Sequence, residues 1–227
     1  MLACGATPHY AVVCDDYLTT AGQKSLAQLD FGDAPVYRSD AGSFASLSST
    51  VHSQGVLAVT ERPDRDGQLE ELLGTADFIL YLDGVRDPGN LGTIIRTAAA
   101  FSVDLLVLSP DCVEAANPKV IRASAGVVFC LPTGKILDPE TFLDSLRSHS
   151  VELLGTAADG SEYVDAVQLP PRVCLAFGSE AGGLSDLVRS RSSKLLAVRT
   201  AAAVESLNVA AAAAITINLV AGKLGVK

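Results

Sequence analysis

Three short segments of the chain combine side chains that could do chemistry, and each follows an apolar run. The first contains Asn90 and, six positions later, Arg96 among Ile, Thr and Ala. Asn90 is a candidate helix cap, because an Asn side chain accepts hydrogen bonds from free backbone N–H groups. An arginine in apolar surroundings predicts a buried guanidinium with an anionic partner. Arg96 therefore favours a function for this segment over a plain strand–turn–helix junction.

The second segment places a carboxylate on a loop of small residues. Phe177 and Gly178 end an apolar run, Ser179 and Glu180 follow, and Gly182-Gly183 come next. Because glycine carries no side chain, a ligand can approach the backbone of such a loop closely. A glycine-rich turn whose Glu180 caps the next helix is the structural alternative, and this segment alone leaves both open.

The third segment contains Ser206 and Asn208 at the start of an alanine-rich helix predicted over 204–219. Both residue types are common helix caps, so a purely structural role stays open here as well. Five successive alanines at 210–214 predict that this helix packs closely against its neighbours. Each segment alone is compatible with a structural role, and only the combination of the three is specific enough to indicate a function.

The elements that must position these segments alternate between strand and helix. Uniformly apolar strands separated by helices indicate a parallel sheet covered on both faces, which is an α/β fold. Ligands of such sheets bind at the carboxyl ends of the strands, where all three segments fall. Predicted strands cover 78–82, 105–108, 127–131, 151–155, 173–177 and 195–198, and predicted helices cover 91–101, 118–125, 139–148, 184–190 and 204–219.

The chain is predicted to have two domains joined by a linker. Residues 1–60 form a small N-terminal α/β domain, 61–72 a charged linker with Pro and Gly, and 73–227 the main domain. In the first domain 10–14 and 56–60 are predicted strands, 22–29 is a predicted helix, and 41–50 is a loop or short helix. This domain has two basic residues and five aspartates, so its surface is predicted to be electrostatically poor for RNA.

Composition excludes several classes of protein. The 227 residues are 48% hydrophobic, enough for a sizeable core, yet no apolar run approaches the roughly 18 residues of a membrane span. No cysteine pair has metal-ligand spacing and there are three histidines, so no metal is expected. A net charge of −9 argues against coating nucleic acid by bulk electrostatics, although a local basic groove remains compatible with it. Dinucleotide-binding, P-loop and nucleophile-elbow motifs are missing from the sequence.

Taken in order, the three segments resemble the SpoU (TrmH) family of SPOUT methyltransferases over roughly 78–219. The run from Pro88 through Arg96 is similar to the family's first motif, Phe177 to Leu184 to its second, and Glu205 to Val209 to its third. The resemblance implies an α/β domain whose C-terminal segment forms a trefoil knot. It also implies a homodimer, and an N-terminal domain that helps to bind RNA.

The resemblance further implies transfer of a methyl group from S-adenosylmethionine to a ribose 2′-hydroxyl of rRNA or tRNA, in the cytoplasm and without a metal. Arg96 is expected to hold a phosphate and stabilise the developing alkoxide rather than act as a base, because a guanidinium essentially never deprotonates in proteins. The implied catalytic residues are Asn90, Arg96, Glu180, Ser206 and Asn208, and the implied cofactor-binding residues are Phe177, Gly178, Glu180, Leu196, Val198, Ser206 and Leu207.

Two departures from the family pattern keep alternatives open. Relatives often have Ile-Pro-Met where this chain has Val198-Arg199-Thr200, and their first basic helix is expected to be missing before Met1. Together with the acidic surface, the first departure favours a catalytically idle relative that binds RNA or a partner. An α/β enzyme of unrelated chemistry is the remaining alternative.

Overall fold

The computed structural model describes residues 8–48, 50, 53–62, 65–201 and 206–225. The chain divides into two compact units, Met1–Arg62 and Pro63–Lys227. The expectation of a basic helix before Met1 concerns a part of the chain outside the described residues.

The first unit is a small sheet with two short helices. Strands β1 (Pro8–Val13), β2 (Val36–Arg38) and β3 (Val56–Thr60) lie in the order β2-β1-β3, with β2 parallel and β3 antiparallel to β1. Helices α1 (Thr20–Leu26) and α2 (Ala41–Leu47) begin after Thr19 and Asp40, whose side chains accept backbone N–H bonds. The open choice over 41–50 therefore resolves as a short helix. Strand β2 was not predicted, because its three residues are all exposed and carry no apolar pattern.

The second unit contains a parallel sheet of seven strands among the described residues, in the order β6-β5-β4-β9-β7-β10-β8. Every pairing in this sheet is parallel. This confirms the α/β class and the parallel sheet. The strands are β4 (Phe78–Asp83), β5 (Leu105–Leu108), β6 (Thr133–Lys135), β7 (Glu152–Thr156), β8 (Glu162–Tyr163), β9 (Val173–Gly178) and β10 (Lys194–Ala197), and the helices are α3 (Leu69–Thr75), α4 (Pro88–Ala100), α5 (Pro118–Ala123), α6 (Pro139–Ser148), α7 (Asp186–Arg191) and α8 (Val209–Leu224).

Helices cover both faces of this sheet, which explains the uniformly apolar strands. In β4, Leu80 and Leu82 join a core with buried residues of α4, α5 and α8. The alternate residues Ile79 and Tyr81 join a second core with residues of α3, α6 and α7. Since successive strand residues point to opposite faces, a strand buried on both sides has no polar positions to reveal its period.

Several predicted elements differ from the structure. Residues 127–131 were predicted as a strand, but Val127–Phe129 is a 3-10 turn and the strand is β6, which follows it. Strand β8 was missed because it has only two residues. Helix α8 begins at Val209 rather than at 204; positions 204 and 205 lie outside the described residues.

The segment predicted as a linker is partly folded. Within 61–72, Asp66–Gln68 forms a 3-10 turn and Leu69 begins α3. Leu73 of that helix is buried, and the guanidinium of Arg172 donates hydrogen bonds to the carbonyl oxygens of Leu73 and Ala76 at the end of the helix. The charged residues, Pro and Gly of this stretch predicted a linker. Part of the stretch is instead a helix that is held against the main sheet.

In the part of the chain that the structure describes, no helix has the length and apolar character to cross a membrane. Over the same residues, no group of three His, Cys, Asp or Glu side chains could hold a metal ion.

Candidate active site

Helix α4 presents Asn90 beside the carboxyl end of β4. Asp87 is the N-cap, since its side chain accepts the N–H of Asn90 at 2.8 Å, and Pro88 occupies the first helical position. Asn90 therefore lies in the first turn and is not the cap, which corrects the prediction. Because Asp87 satisfies the free N–H group, the amide of Asn90 is available for contacts outside its own helix.

The loop after β9 is closed tightly on itself. The backbone groups of Ser179 and Gly183 exchange hydrogen bonds of 2.9 and 3.0 Å, and Gly183 has a positive φ of 67°. A Cβ on Gly178 would lie 1.9 Å from the carbonyl carbon of Gly183, so only glycine fits there. Ser185, not Glu180, caps the next helix, α7, which leaves the Glu180 carboxylate free of the structural role that the sequence left open.

Helix α8 contributes Asn208 as its N-cap. The side-chain Oδ1 of Asn208 accepts the N–H groups of Ala210 and Ala211 at 2.9 and 3.3 Å. Its Nδ2 remains available as a donor and binds Oδ1 of Asn90 at 3.0 Å. Asn208 thus has both roles considered from the sequence, a cap and a member of the site.

A chain of hydrogen bonds joins the three segments. Nδ2 of Asn90 donates to Oε1 of Glu180 at 2.7 Å, while its Oδ1 accepts from Asn208. Asn90 is half-buried, and Glu180 and Asn208 are exposed. These hydrogen bonds therefore lie at the surface of the protein, where a substrate can reach them. We call Asn90, Glu180 and Asn208 the polar junction.

Arg96 does not join the polar junction within the chain. Its side chain is exposed, and it forms no hydrogen bond or ion pair with any described residue. The prediction of a buried guanidinium with an anionic partner is therefore wrong. Ile94, Ile95 and Ala98 of the same helix are buried, whereas Arg96 shares the solvent face with Thr93 and Ala100.

A cavity of about 270 Å³ opens beside the polar junction. Its wall comes from the carboxyl ends of β7, β9 and β10 and from the first turns of α8. All seven residues that the resemblance assigned to the cofactor lie in this wall: Phe177, Gly178, Glu180, Leu196, Val198, Ser206 and Leu207.

Sequence reasoning missed part of the wall. Thr156 ends β7, and Ala157 and Ala158 follow it. On α8, Val209, Ala212 and Thr216 line the cavity. Strand β7 ends in a small-residue stretch next to β9, so the rule that ligands bind at strand ends could have identified its contribution. Its position in the strand order, however, was not predicted.

Thr216 is an unusual member of the wall. The residue is fully buried, and its hydroxyl oxygen has no hydrogen-bond partner among the described residues. A threonine inside a helix commonly bonds to a carbonyl one turn earlier. A buried hydroxyl without that bond makes a net unfavourable contribution to the stability of the chain.

Comparisons with known proteins point to one family. The model of the SpoU rRNA methylase family matches residues 77–218. An uncharacterised tRNA/rRNA methyltransferase of Synechocystis sp. is 35% identical over 170 residues, which are 74% of this chain and 60% of that protein. The 23S rRNA (guanosine(2553)-2′-O)-methyltransferase RlmP of Bacillus subtilis is 34% identical over 174 residues, 77% of this chain and 67% of that protein.

The fold also has a solved counterpart. The SpoU methyltransferase AviRb from Streptomyces viridochromogenes, in complex with AdoMet, superposes with a TM-score of 0.82 at 23% identity and covers 98% of this chain and 85% of that chain. The likeness extends over both units of the chain. By contrast, the match to the Synechocystis relative spans less than two thirds of that protein's length.

Proposed function

Since this chain belongs to the SpoU rRNA methylase family, we propose that it transfers a methyl group from S-adenosylmethionine to a ribose 2′-hydroxyl of rRNA or tRNA. The observation that carries the proposal is the polar junction at the mouth of the cavity, where Asn90 joins Glu180 and Asn208. The relatives named as rRNA 2′-O-methyltransferases support the reaction and the substrate class.

The cavity fits a nucleoside that carries an amino-acid tail. Leu196, Val198 and Leu207 give apolar surface for a flat base, and hydroxyl groups and strand-end backbone supply polar contacts. The missing side chain at Gly178 lets the loop at Gly183 and Leu184 close directly on the end of β9, which shapes this part of the wall. S-adenosylmethionine supplies a methyl group activated by its sulfonium.

The residues at the mouth would orient the ribose and stabilise charge. Asn90 fixes one carboxylate oxygen of Glu180, which leaves the other to accept a hydrogen bond from the ribose hydroxyl. Asn208 fixes the amide of Asn90, and Ser206 stands at the rim of the cavity. Arg96 would hold a phosphate and stabilise the alkoxide that develops as the hydroxyl passes its proton to solvent at this exposed site.

A homodimer would give Arg96 a place in this reaction. With about 3.6 residues per helical turn, the six positions from Asn90 to Arg96 place the two side chains on different sides of α4. Helix α4 packs against α8, whose exposed side offers small and apolar residues including Ala211, Ile215 and Gly222. We propose that two chains pair through these helices, so that Arg96 of one chain reaches the cavity of the other. We also propose that the C-terminal segment forms a trefoil knot.

RNA would bind on the side of α4 and α5, in the cytoplasm. Most described cations of the second unit are held by acidic partners, as Arg189 is by Asp159 and Lys194 is by Glu162. Arg96 and Lys119 are exposed without such a partner among the described residues, so their charge is available to phosphates. A local contact of this kind is compatible with a net charge of −9.

The catalytically idle alternative rested on Val198-Arg199-Thr200 and on the acidic surface. Val198 and Thr200 both lie in the wall of an open cavity, so the altered tract does not close the proposed cofactor site. The relatives named as rRNA 2′-O-methyltransferases favour methyl transfer over this alternative.

The test is methylation by the purified full chain. The protein is incubated with S-adenosylmethionine carrying a labelled methyl group and with unmodified rRNA or tRNA, and the RNA is digested and analysed by nucleoside mass spectrometry. A labelled 2′-O-methylnucleoside is expected from one of the two RNA classes. Methylation only on bases, or no incorporation in the presence of measurable cofactor binding, would contradict the proposal.

A further inference from the structure

The tract Val198–Thr200 is held from outside the cavity. Val198 and Thr200 line the cavity, while Arg199 between them contacts the strand at the sheet edge. Its guanidinium carbon lies 3.7 Å from the centroid of the Tyr163 ring. Its Nε donates a 2.9 Å hydrogen bond to Oδ2 of Asp165. We call Arg199, Tyr163 and Asp165 the arginine clamp.

The clamp acts on a short strand that is itself fastened to β10. Leu196 pairs with Glu162 and Ala197 with Tyr163, and the N–H of Val164 donates to the carbonyl of Ala197 at 3.1 Å. A Cβ on Gly160 would lie 2.6 Å from the carbonyl carbon of Leu196, so the turn before β8 also lies directly on β10. Strand β8 is therefore a fixed support for the clamp.

The two contacts restrain the guanidinium in different directions. Stacking on Tyr163 fixes the plane of the guanidinium, and the bond to Asp165 fixes its rotation within that plane. The hydrogen bond from Arg199 also lowers the pKa of Asp165, so that this carboxylate stays charged. Arg199 and Asp165 are about half exposed, and such a pair contributes little to global stability. Its consequence is local, because it fixes the backbone between two residues of the cavity wall.

We propose that Arg199 is a positioning residue for the cofactor, which holds Val198 and Thr200 in the cavity wall through the arginine clamp. The inference rests on the proposed function, since it takes the cavity to be the site of S-adenosylmethionine. The side chain of Arg199 would supply the restraint on this tract.

The test compares binding of S-adenosylmethionine and S-adenosylhomocysteine by calorimetry in the full chain and its variants. Arg199→Ala should raise both dissociation constants about tenfold, equivalent to about 1.4 kcal/mol of binding free energy. Asp165→Asn should raise them less, and Arg199→Lys, which keeps the charge but stacks poorly, should fall between wild type and Arg199→Ala.

The matched control is Arg191→Ala. Arg191 forms an ion pair of 2.7 Å with Asp144, away from the cavity wall. This variant should lose as much thermal stability as Arg199→Ala and keep the wild-type dissociation constants. The double variant Arg199→Ala/Asp165→Asn should bind no more weakly than Arg199→Ala alone, because both changes open the same clamp.

Two outcomes would overturn the inference without touching the proposed function. The first is an unchanged dissociation constant in Arg199→Ala, and the second is additive losses in the double variant. If wild-type protein binds neither compound, the proposed function fails and the inference fails with it. Binding by wild type and Arg199→Ala alike overturns the clamp only.

Discussion

Asn90 donates a 2.7 Å hydrogen bond to Glu180, although 90 positions separate the two residues in the chain. The bond connects the first turn of α4 to the loop after β9, two elements that follow neighbouring strands of the sheet. Asp87 makes the bond available by capping α4, and Asn208 orients the Asn90 amide by donating to its oxygen. One capping residue and one amide thus decide which way the Glu180 carboxylate is held.

Replacing Asn90 with Asp should lower methyl transfer strongly. The substitution keeps the acceptor for Asn208 but removes the donor to Glu180 and places two carboxylates side by side. A hydrogen bond to a charged group is worth about 1.5–3 kcal/mol, which corresponds to a rate loss of about 10- to 100-fold. Steady-state kinetics should show this loss in kcat, with little change in cofactor affinity, because Asn90 is outside the cavity wall.

The double variant Asn90→Asp/Glu180→Gln tests the direction of the same bond. The Gln amide can donate to the new carboxylate, so donor and acceptor exchange places and the repulsion disappears. We expect part of the lost kcat to return if orientation is the main role of the bond. A single Asn90→Asp variant within threefold of wild type would contradict the prediction.

Arg96→Ala should nearly abolish methyl transfer while cofactor binding persists. Removing a group that stabilises developing negative charge typically costs about 100- to 1000-fold in rate. Arg96 is not in the cavity wall of its own chain and is proposed to act on the RNA, so calorimetry should give an unchanged dissociation constant for S-adenosylmethionine. The control is Arg147→Ala, which removes an exposed cation from α6 and should leave kcat unchanged. Wild-type turnover in Arg96→Ala would remove this residue from the mechanism.

Mixed dimers should show whether Arg96 acts across the proposed dimer interface. A dimer of Arg96→Ala and Glu180→Ala chains contains one intact site if each site takes its arginine from the partner chain. Co-purified mixed dimers should then recover activity that neither variant has alone. If each cavity uses its own Arg96, both sites in the mixed dimer are defective and no activity returns.

Gly178→Ala should destroy cofactor binding. The new methyl group would lie 1.9 Å from the carbonyl carbon of Gly183 and 2.1 Å from the nitrogen of Leu184, so the loop after β9 must open. Forced overpacking of this kind costs about 1–3 kcal/mol of stability, measurable by urea denaturation. Gly182→Ala is the control, because its Cβ would meet only the Ser179 hydroxyl, at 3.4 Å. That variant should bind the cofactor as wild type does, and equal losses in both variants would contradict the prediction.

The sequence predicted the parallel sheet and the meeting of its three segments because both depend on local patterns. Apolar runs predicted the strands. Because ligands of parallel sheets bind at the carboxyl ends of the strands, the loops that follow the strands were predicted to meet there. The identity of the α4 cap was missed because Asp87 and Asn90 are both good caps; Pro88, which favours the first helical position, was the deciding signal. The order β4-β9-β7-β10 was not predicted, since uniformly apolar strands do not reveal their neighbours.

The exposure of Arg96 could have been predicted from its helix. Its buried neighbours Ile94, Ile95 and Ala98 define an apolar side, and Arg96 falls outside it together with Thr93 and Ala100. Counting apolar neighbours along the sequence, without placing them around the helix, produced the wrong expectation. The arginine clamp was not predictable in the same way, because it depends on a two-residue strand at the sheet edge.

Thr216→Val should stabilise the chain, whereas Thr133→Val should destabilise it. Both threonines are fully buried, but Thr216 has no hydrogen-bond partner among the described residues and Thr133 donates to the carbonyl of Leu131 at 3.0 Å. Valine has nearly the same shape, so it removes an unpaired hydroxyl at one position and a satisfied bond at the other. We expect changes of about 1 kcal/mol in opposite directions, measured by urea denaturation without cofactor, because a bound ligand would add its own stabilisation. Destabilisation by Thr216→Val as large as that by Thr133→Val would mean that the Thr216 hydroxyl is satisfied in solution, and the cavity wall would then hold a polar contact that its geometry does not show.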